Sequence, residues 1–200
     1  MTGRKYGPMT EVLVAINVAV YIFEAVLSGS FISININVLA FLGQWNYAVL
    51  HLGRWWQLFT AMFVHVGILH IAFNMYFLFI IGSQFERLFG GKWLLGTYLL
   101  SGLVGNLLTL FIFPPNSLSA GASGAIFGIV GAVIITSGII GGNMQAALLN
   151  AFFLFLINSI LPGVNVYAHL GGLLAGIAIG YWKGNELKRR LYLDPYIGAW

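Results

Sequence analysis

Six apolar runs, each close to the length at which a helix crosses a bilayer, take up most of this chain, and its few charges fall between them. A span needs about 20 predominantly apolar residues, because the hydrocarbon core is about 30 Å thick and a helix rises about 1.5 Å per residue. Inside that core a helix satisfies every backbone amide within its own segment, which makes it the structure such runs form. The predicted spans are 10–28, 66–86, 93–113, 123–141, 145–161 and 166–183. The expectation is an all-α, polytopic membrane protein with residues 1–200 as one membrane domain and 184–200 as a cytoplasmic tail. Only 7% of the residues are charged, against roughly 25% in soluble domains, so no separate soluble domain is expected.

The breakers between the runs are clear. Gly90-Gly91-Lys92 separates the second span from the third, Pro114-Pro115 ends the third, Gly141-Gly142 ends the fourth, and Pro162-Gly163 precedes the sixth. Residues 29–65 mix Trp45, Tyr47, Trp55 and Trp56 with leucine, glycine and the lone charge Arg54. Tryptophan and tyrosine belong at the headgroup level, so this segment reads as a long interfacial loop. The first run follows Arg4 and Lys5 and has the outline of a signal peptide with a cut near Ala25–Ser30. Its length, and the membrane character that continues after it, favour a retained helix.

Basic residues set the topology. Arg4, Lys5, Arg87, Lys92, Lys183, Lys188, Arg189 and Arg190 fall on one side of a six-span chain, and Arg54 on the other. The positive-inside rule then places both termini in the cytoplasm, and a prokaryotic cell membrane is the expected location. The net charge of +4 is thus a topology signal, with no basic face that would point to nucleic acid. The chain has no cysteine, which excludes disulfides, thiolate metal sites and cysteine nucleophiles.

Ionisable and polar groups inside spans mark function by default. His65, His70 and His169 fall at the outer ends of the second and sixth spans, and Ser123 opens the fourth at a similar depth. His70 and Asn74, spaced i and i+4, share a helix face. Gly124-xxx-Gly128 follows Ser123, and Gly172-xxx-Gly176-xxx-Gly180 follows His169. Such small-residue stripes let helices approach closely in lipid, which would bring the Ser123 hydroxyl towards the His169 imidazole as a nucleophile and its base. Glu11, Glu24, Glu86, Glu186 and Asp194 offer no evident third member, so a dyad is expected. The Ser123 amide, at a helix start, and the side chains of His70 and Asn74 are candidate donors to an oxyanion.

Taken singly, these features have plainer readings. A Gly-Ala-Ser-Gly run usually serves helix packing, and lone membrane histidines usually satisfy a polar contact. The run is also not the Gly-x-Ser-x-Gly elbow of soluble hydrolases, which needs a preceding strand. His51 reads as interfacial, and Asn17, Asn106, Asn150 and Asn158 as interhelical hydrogen-bonders. Gly102 and Gly105 read as packing, and Phe152, Phe153 and Phe155 as lipid-facing or core, on a fifth helix bulky enough to gate entry.

The order Trp56-Gln57-Leu58-Phe59-Thr60, His65, His70, Asn74, Gly82, Glu86, Gly121-Ala122-Ser123-Gly124, and Ala168-His169-Leu170-Gly171-Gly172 with Gly176 resembles the rhomboid intramembrane serine proteases. The resemblance covers most of residues 55–183. It implies a Ser123–His169 dyad, an oxyanion site that includes His70 and Asn74, a structural role for His65 in the first loop, and an inner-side polar network at Glu86. It also implies transmembrane protein substrates, lipid as the surrounding partner, a site opening to the extracytoplasmic side, and no metal or cofactor. Two departures stand out. Gln57 occupies a place where the family usually has arginine, which questions a loop-anchoring contact, and Phe127 stands where tyrosine is common. Ala122 stands where some inactive relatives have proline. Two other readings remain: a small transporter or channel using the Ser/His/Asn pathway, which should show an internal repeat or broken helices, and an inactive rhomboid-like chaperone.

Overall fold

The computed structural model describes residues 7–160 and 163–193. Arg4, Lys5, Pro162 and Asp194 to Trp200, which entered the topology, breaker and tail readings, lie outside the described residues. Among the described residues there are six long helices: α1 (Pro8–Ser28), α5 (Ile68–Phe89), α6 (Gly91–Ile112), α7 (Ser123–Gly141), α8 (Met144–Ser159) and α9 (Val166–Leu193). The protein is an all-α polytopic membrane protein. By length and composition α1, α5, α6 and α7 each suffice to cross a bilayer. The 16 residues of α8 rise only about 24 Å, and α9 carries its charges in its last turns.

Three expectations change. The segment 29–65 is not an open loop: it holds α2 (Ile36–Leu42), α3 (Asn46–His51) and α4 (Gln57–Thr60), and strand β1 (Gln44–Trp45), which pairs antiparallel with β2 (Leu118–Ser119). Buried amides fold it. Gln57 donates to the carbonyls of Ala40 (2.8 Å) and Phe41 (3.1 Å) and accepts from the Trp45 amide (3.0 Å). Asn46 reaches the carbonyls of Thr109, Phe113 and Pro114. A buried segment must satisfy its backbone groups, and these side chains do so. Gln57 therefore anchors the segment itself. The second change is that the last helix runs past residue 183 to Leu193, supported by Glu186 pairing with Lys183 and Arg190 at i−3 and i+4. The third concerns the asparagines: Asn17 does bond across helices to Tyr98 (3.1 Å), and Asn106 to the Leu58 carbonyl, but Asn158 bonds back to Leu154 on its own helix.

One end of the bundle gathers the helix ends that carry basic residues. Glu86 near the end of α5 accepts from the amides of Met9 and Thr10 and from the Thr10 hydroxyl, capping α1 from a neighbouring helix. The Lys183 ammonium lies 4.5 Å from the Trp93 ring, joining the second half of α9 to the start of α6. At the other end, Trp55 and Trp56 are exposed, and the Tyr47 and His51 rings meet at 4.8 Å, tilted by 42°. Phe152 and Phe153 on α8 face outward.

α7 is the central pillar, buried over most of its length, and it packs most closely on α9. A methyl group built on Gly172 or Gly176 would overlap the carbonyl oxygen of Gly124 or Gly128, and one on Gly180 would lie 2.5 Å from the Ala132 oxygen. The stripes therefore do face each other, and no side chain larger than hydrogen fits between these backbones.

Candidate active site

Ser123 is the first residue of α7. The chain reaches it through Ser119 in β2 and through Gly121, whose φ of 138° favours glycine and whose amide donates to the Ala61 carbonyl at 2.9 Å. Ala122 at the N-cap provides no side-chain cap. The first four amides of a helix have no partner within it, so those of the first α7 turn are available to an anion.

His169 lies in the first turn of α9, buried, with its ring stacked on Phe127 at 4.2 Å and 21°. Stacking needs the ring and not a hydroxyl, so phenylalanine suffices at 127. Phe127 also meets Phe155 of α8 edge to face. The neighbouring Ala168 is held between two helices: its carbonyl oxygen lies 2.5 Å from the methyl position of Gly105 on α6 and 3.0 Å from that of Gly124 on α7. Ser123 and His169 line the same cavity, of about 1280 Å³, without a hydrogen bond between them. Among the described residues His169 Nδ1 is buried without a hydrogen-bond partner, and no carboxylate orients it.

His70 and Asn74 line this cavity too. The Val66 amide donates to His70 Nδ1 (3.4 Å), so a neutral His70 ring carries its hydrogen on Nε2. That nitrogen lies 3.1 Å from the Gly121 methyl position, and Ser123 Oγ lies 3.7 Å from the same point. A donor and a hydroxyl thus flank Gly121. Asn74 gives one amide hydrogen to the His70 carbonyl at 2.8 Å.

His65 stands behind His70, ring to ring at 5.2 Å, outside α5. Its Nδ1 lies 3.1 Å from the Phe63 carbonyl, and its amide donates to Glu24 on α1. Burial first, and the nearby His70 second, push the His65 pKa from 6.5 down to about 3. The ring is neutral and packs behind His70.

The sequence reading missed Asn165. Its Nδ2 donates to Ser119 Oγ (2.8 Å) and Thr109 Oγ1 (3.0 Å), while its Oδ1 accepts from the Ala168 amide (3.0 Å). One side chain thereby ties the strand leading to Ser123, helix α6 and the first turn of α9. The signal was present: asparagine directly before an apolar helical run is an N-cap pattern.

A sequence model of the Rhomboid domain matches residues 52–186, well over half the chain. This chain belongs to the rhomboid family. Among similar proteins, RHOMBOID-like protein 1 of Arabidopsis thaliana is 40% identical over 139 residues, 66% of this chain and 36% of that protein. Rhomboid protease GluP of Bacillus subtilis (strain 168) is 31% identical over 91% of this chain and 37% of its own length. Rhomboid-like protease 3 of Toxoplasma gondii is 33% identical over 86% of this chain and 67% of its own. The chain spans 36%, 43% and 45% of RHOMBOID-like proteins 1, 6 and 2 of Arabidopsis thaliana.

Proposed function

We propose that this rhomboid protein is an intramembrane serine endopeptidase that cuts a peptide bond in or near the transmembrane segment of another membrane protein. The observation that carries the reading is the meeting of Ser123, His169 and the His70 Nε2–H at one cavity. His169 takes the proton from Ser123 Oγ as the oxygen attacks the scissile carbonyl carbon. The oxyanion is held by the Ser123 amide, His70 Nε2–H and the Asn74 amide. His169 then protonates the leaving amine, the C–N bond breaks, and an acyl-enzyme remains. A water that gives its proton to His169 attacks the ester carbonyl carbon, the bond from that carbon to Ser123 Oγ breaks, Oγ takes the proton from His169, and the new carboxyl is freed. Among the described residues no carboxylate partners His169 Nδ1, which supports a dyad. The substrate backbone must unwind near the cut, so helix-weakening glycine, proline or small residues belong there.

The basic helix ends at Arg87, Lys92 and Lys183 support an orientation with that end in the cytoplasm and the Ser123 end facing outward. Residues 1–200 act as one membrane domain on this reading. The test is a reconstituted vesicle assay with a single-span substrate, comparing the wild type with Ser123→Ala and His169→Ala. Cleavage should disappear in both, and a fluorophosphonate should label the wild type at Ser123. Full cleavage by either variant refutes the dyad.

A further inference from the structure

The cavity that holds Ser123 does not end there. It continues along α7 between α5 and α8 as far as Gly138, and its inner end changes character. Gln84 of α5, Ser137 of α7 and Asn150 of α8 converge on it. Gln84 is 14 residues beyond His70 on one helix, and Ser137 is 14 beyond Ser123 on the next. Both therefore stand about 21 Å below the reacting groups. Asn150 joins them from α8, since Ala147, one turn away, packs on Gly138. Gln84 and Asn150 are exposed and make no hydrogen bond to another described residue, and the Ser137 hydroxyl, which donates to the Val133 carbonyl, keeps its acceptor capacity. Unpaired amides facing an intramembrane groove are costly unless a partner arrives. Between the two polar ends the walls are apolar, with Phe77, Ile81, Val130, Ile134 and Leu154.

We infer that this inner polar cluster recognises a hydrogen-bonding side chain, an amide or hydroxyl, on the substrate's transmembrane helix and so sets which bond reaches Ser123. The inference rests on the protease reading above. The occupant is a single apolar helix, because the groove is continuous with the site, has apolar walls between its ends, and gathers Gln84, Ser137 and Asn150 at its inner end. The spacing is fixed by the 21 Å separation. A helical substrate covers it in about 14 residues, and one with about three extended residues at the cut in about 10. The recognised side chain therefore lies about 10–14 residues from the cut on its inner side.

The experiment uses the full chain in vesicles with a leucine-rich single-span substrate that carries one asparagine, stepped from about 6 to 18 residues inward of the cut. Binding is read by photo-crosslinking to the Ser123→Ala protein, which needs no chemistry, and kcat/KM is read on the wild type. Both readouts should peak with asparagine at about 10–14 residues, by about three- to tenfold over the all-leucine substrate, since one membrane hydrogen bond has that strength. Gln84→Leu with Asn150→Leu should flatten the peak. Crosslinking independent of asparagine position, or a peak that survives the double substitution, overturns the inference. Crosslinking that responds to lipid headgroup composition and not to asparagine also overturns it, assigning the cluster to lipid. A crosslinking peak without cleavage by the wild type keeps the register and refutes the protease.

Discussion

Substituting Gly105 by alanine tests whether the close approach of α6 to the start of α9 sets the position of His169. The new methyl would lie 2.5 Å from the Ala168 oxygen and 3.2 Å from both the carbonyl carbon and the Cα of Ala168. These are backbone atoms that no rotamer change can move aside. Relief to a tight but tolerable separation requires about 0.7 Å of movement, given that carbon contacts are optimal at about 3.5–4.0 Å. Overpacking of this kind costs about 1–3 kcal/mol. Because His169 follows Ala168 directly, its imidazole moves as well, and a misplacement approaching 1 Å lowers turnover by up to about 100-fold. The companion Gly124→Ala starts from 3.0 Å and needs only a few tenths of an ångström, so its loss of stability should be smaller. Gly96→Ala on the same helix α6 is the control: nothing lies within 4 Å of its methyl position, and it should be stabilising by about 0.5–1 kcal/mol through helix propensity. Stability would be read from detergent-induced unfolding and activity from vesicle cleavage. If Gly105→Ala matches the wild type in both, the clamp on Ala168 does not position His169.

Asn165→Ala removes an N-cap and two further hydrogen bonds, and should lower stability by about 1–2 kcal/mol; in the same assays kcat should fall more than KM rises, whereas an unchanged kcat would mean the bridge to Ser119 is dispensable. Thr10→Val removes one of the three bonds on Glu86, and Glu86→Ala removes all three and uncaps α1; the losses should be graded, about 1 and about 3 kcal/mol, with fluorophosphonate labelling of the folded fraction retained. For His65 the folded pKa of about 3 lies below the ordinary 6.5. As pH falls below 6.5 the unfolded chain takes up a proton that the folded ring refuses, so stability declines with acidification until the folded pKa is reached. Between pH 6.5 and 5 the ring should account for a loss of about 2 kcal/mol, seen as the difference in slope between the wild type and His65→Gln; equal slopes would place the titration elsewhere.

What could be read ahead of the structure depended on how local its cause was. The bounds of α7 followed from Ser123 and Gly141-Gly142, because breakers and an apolar run act within a few residues. The helices α2, α3 and α4 were hidden: at four to seven residues they are too short for periodicity to register. Their specification comes from distant partners, such as Asn46 reaching the end of α6. Gln57 illustrates the same limit. As a departure from a family pattern it suggested a lost anchor, whereas its three hydrogen bonds, visible only once Ala40, Phe41 and Trp45 are in place, make it one. Ser123, His70, Asn74 and His169 could be singled out because polar groups are rare in apolar spans. Asn165 escaped because it lies in a loop, where asparagine is ordinary, and only the folded chain shows it bonded to Ser119 and Thr109.

Of the four helices long and apolar enough to cross a bilayer, the most apolar is α7, whose best 18-residue window has a mean hydropathy of 2.1, and it is also the one least able to touch lipid, since 78% of that window is buried within the protein. Lipid contact in the finished fold therefore cannot be the reason for its composition. Apolarity here serves an earlier moment, when the helix enters the bilayer singly and has only hydrocarbon around it. The glycines serve a later one, when α9 closes against it. The two requirements are written on the same residues, Gly124, Gly128 and Gly131 among isoleucines and valines. A polar substitution on α7 that the assembled bundle could accommodate would therefore fail at insertion, and a bulky apolar one would insert and fail at assembly.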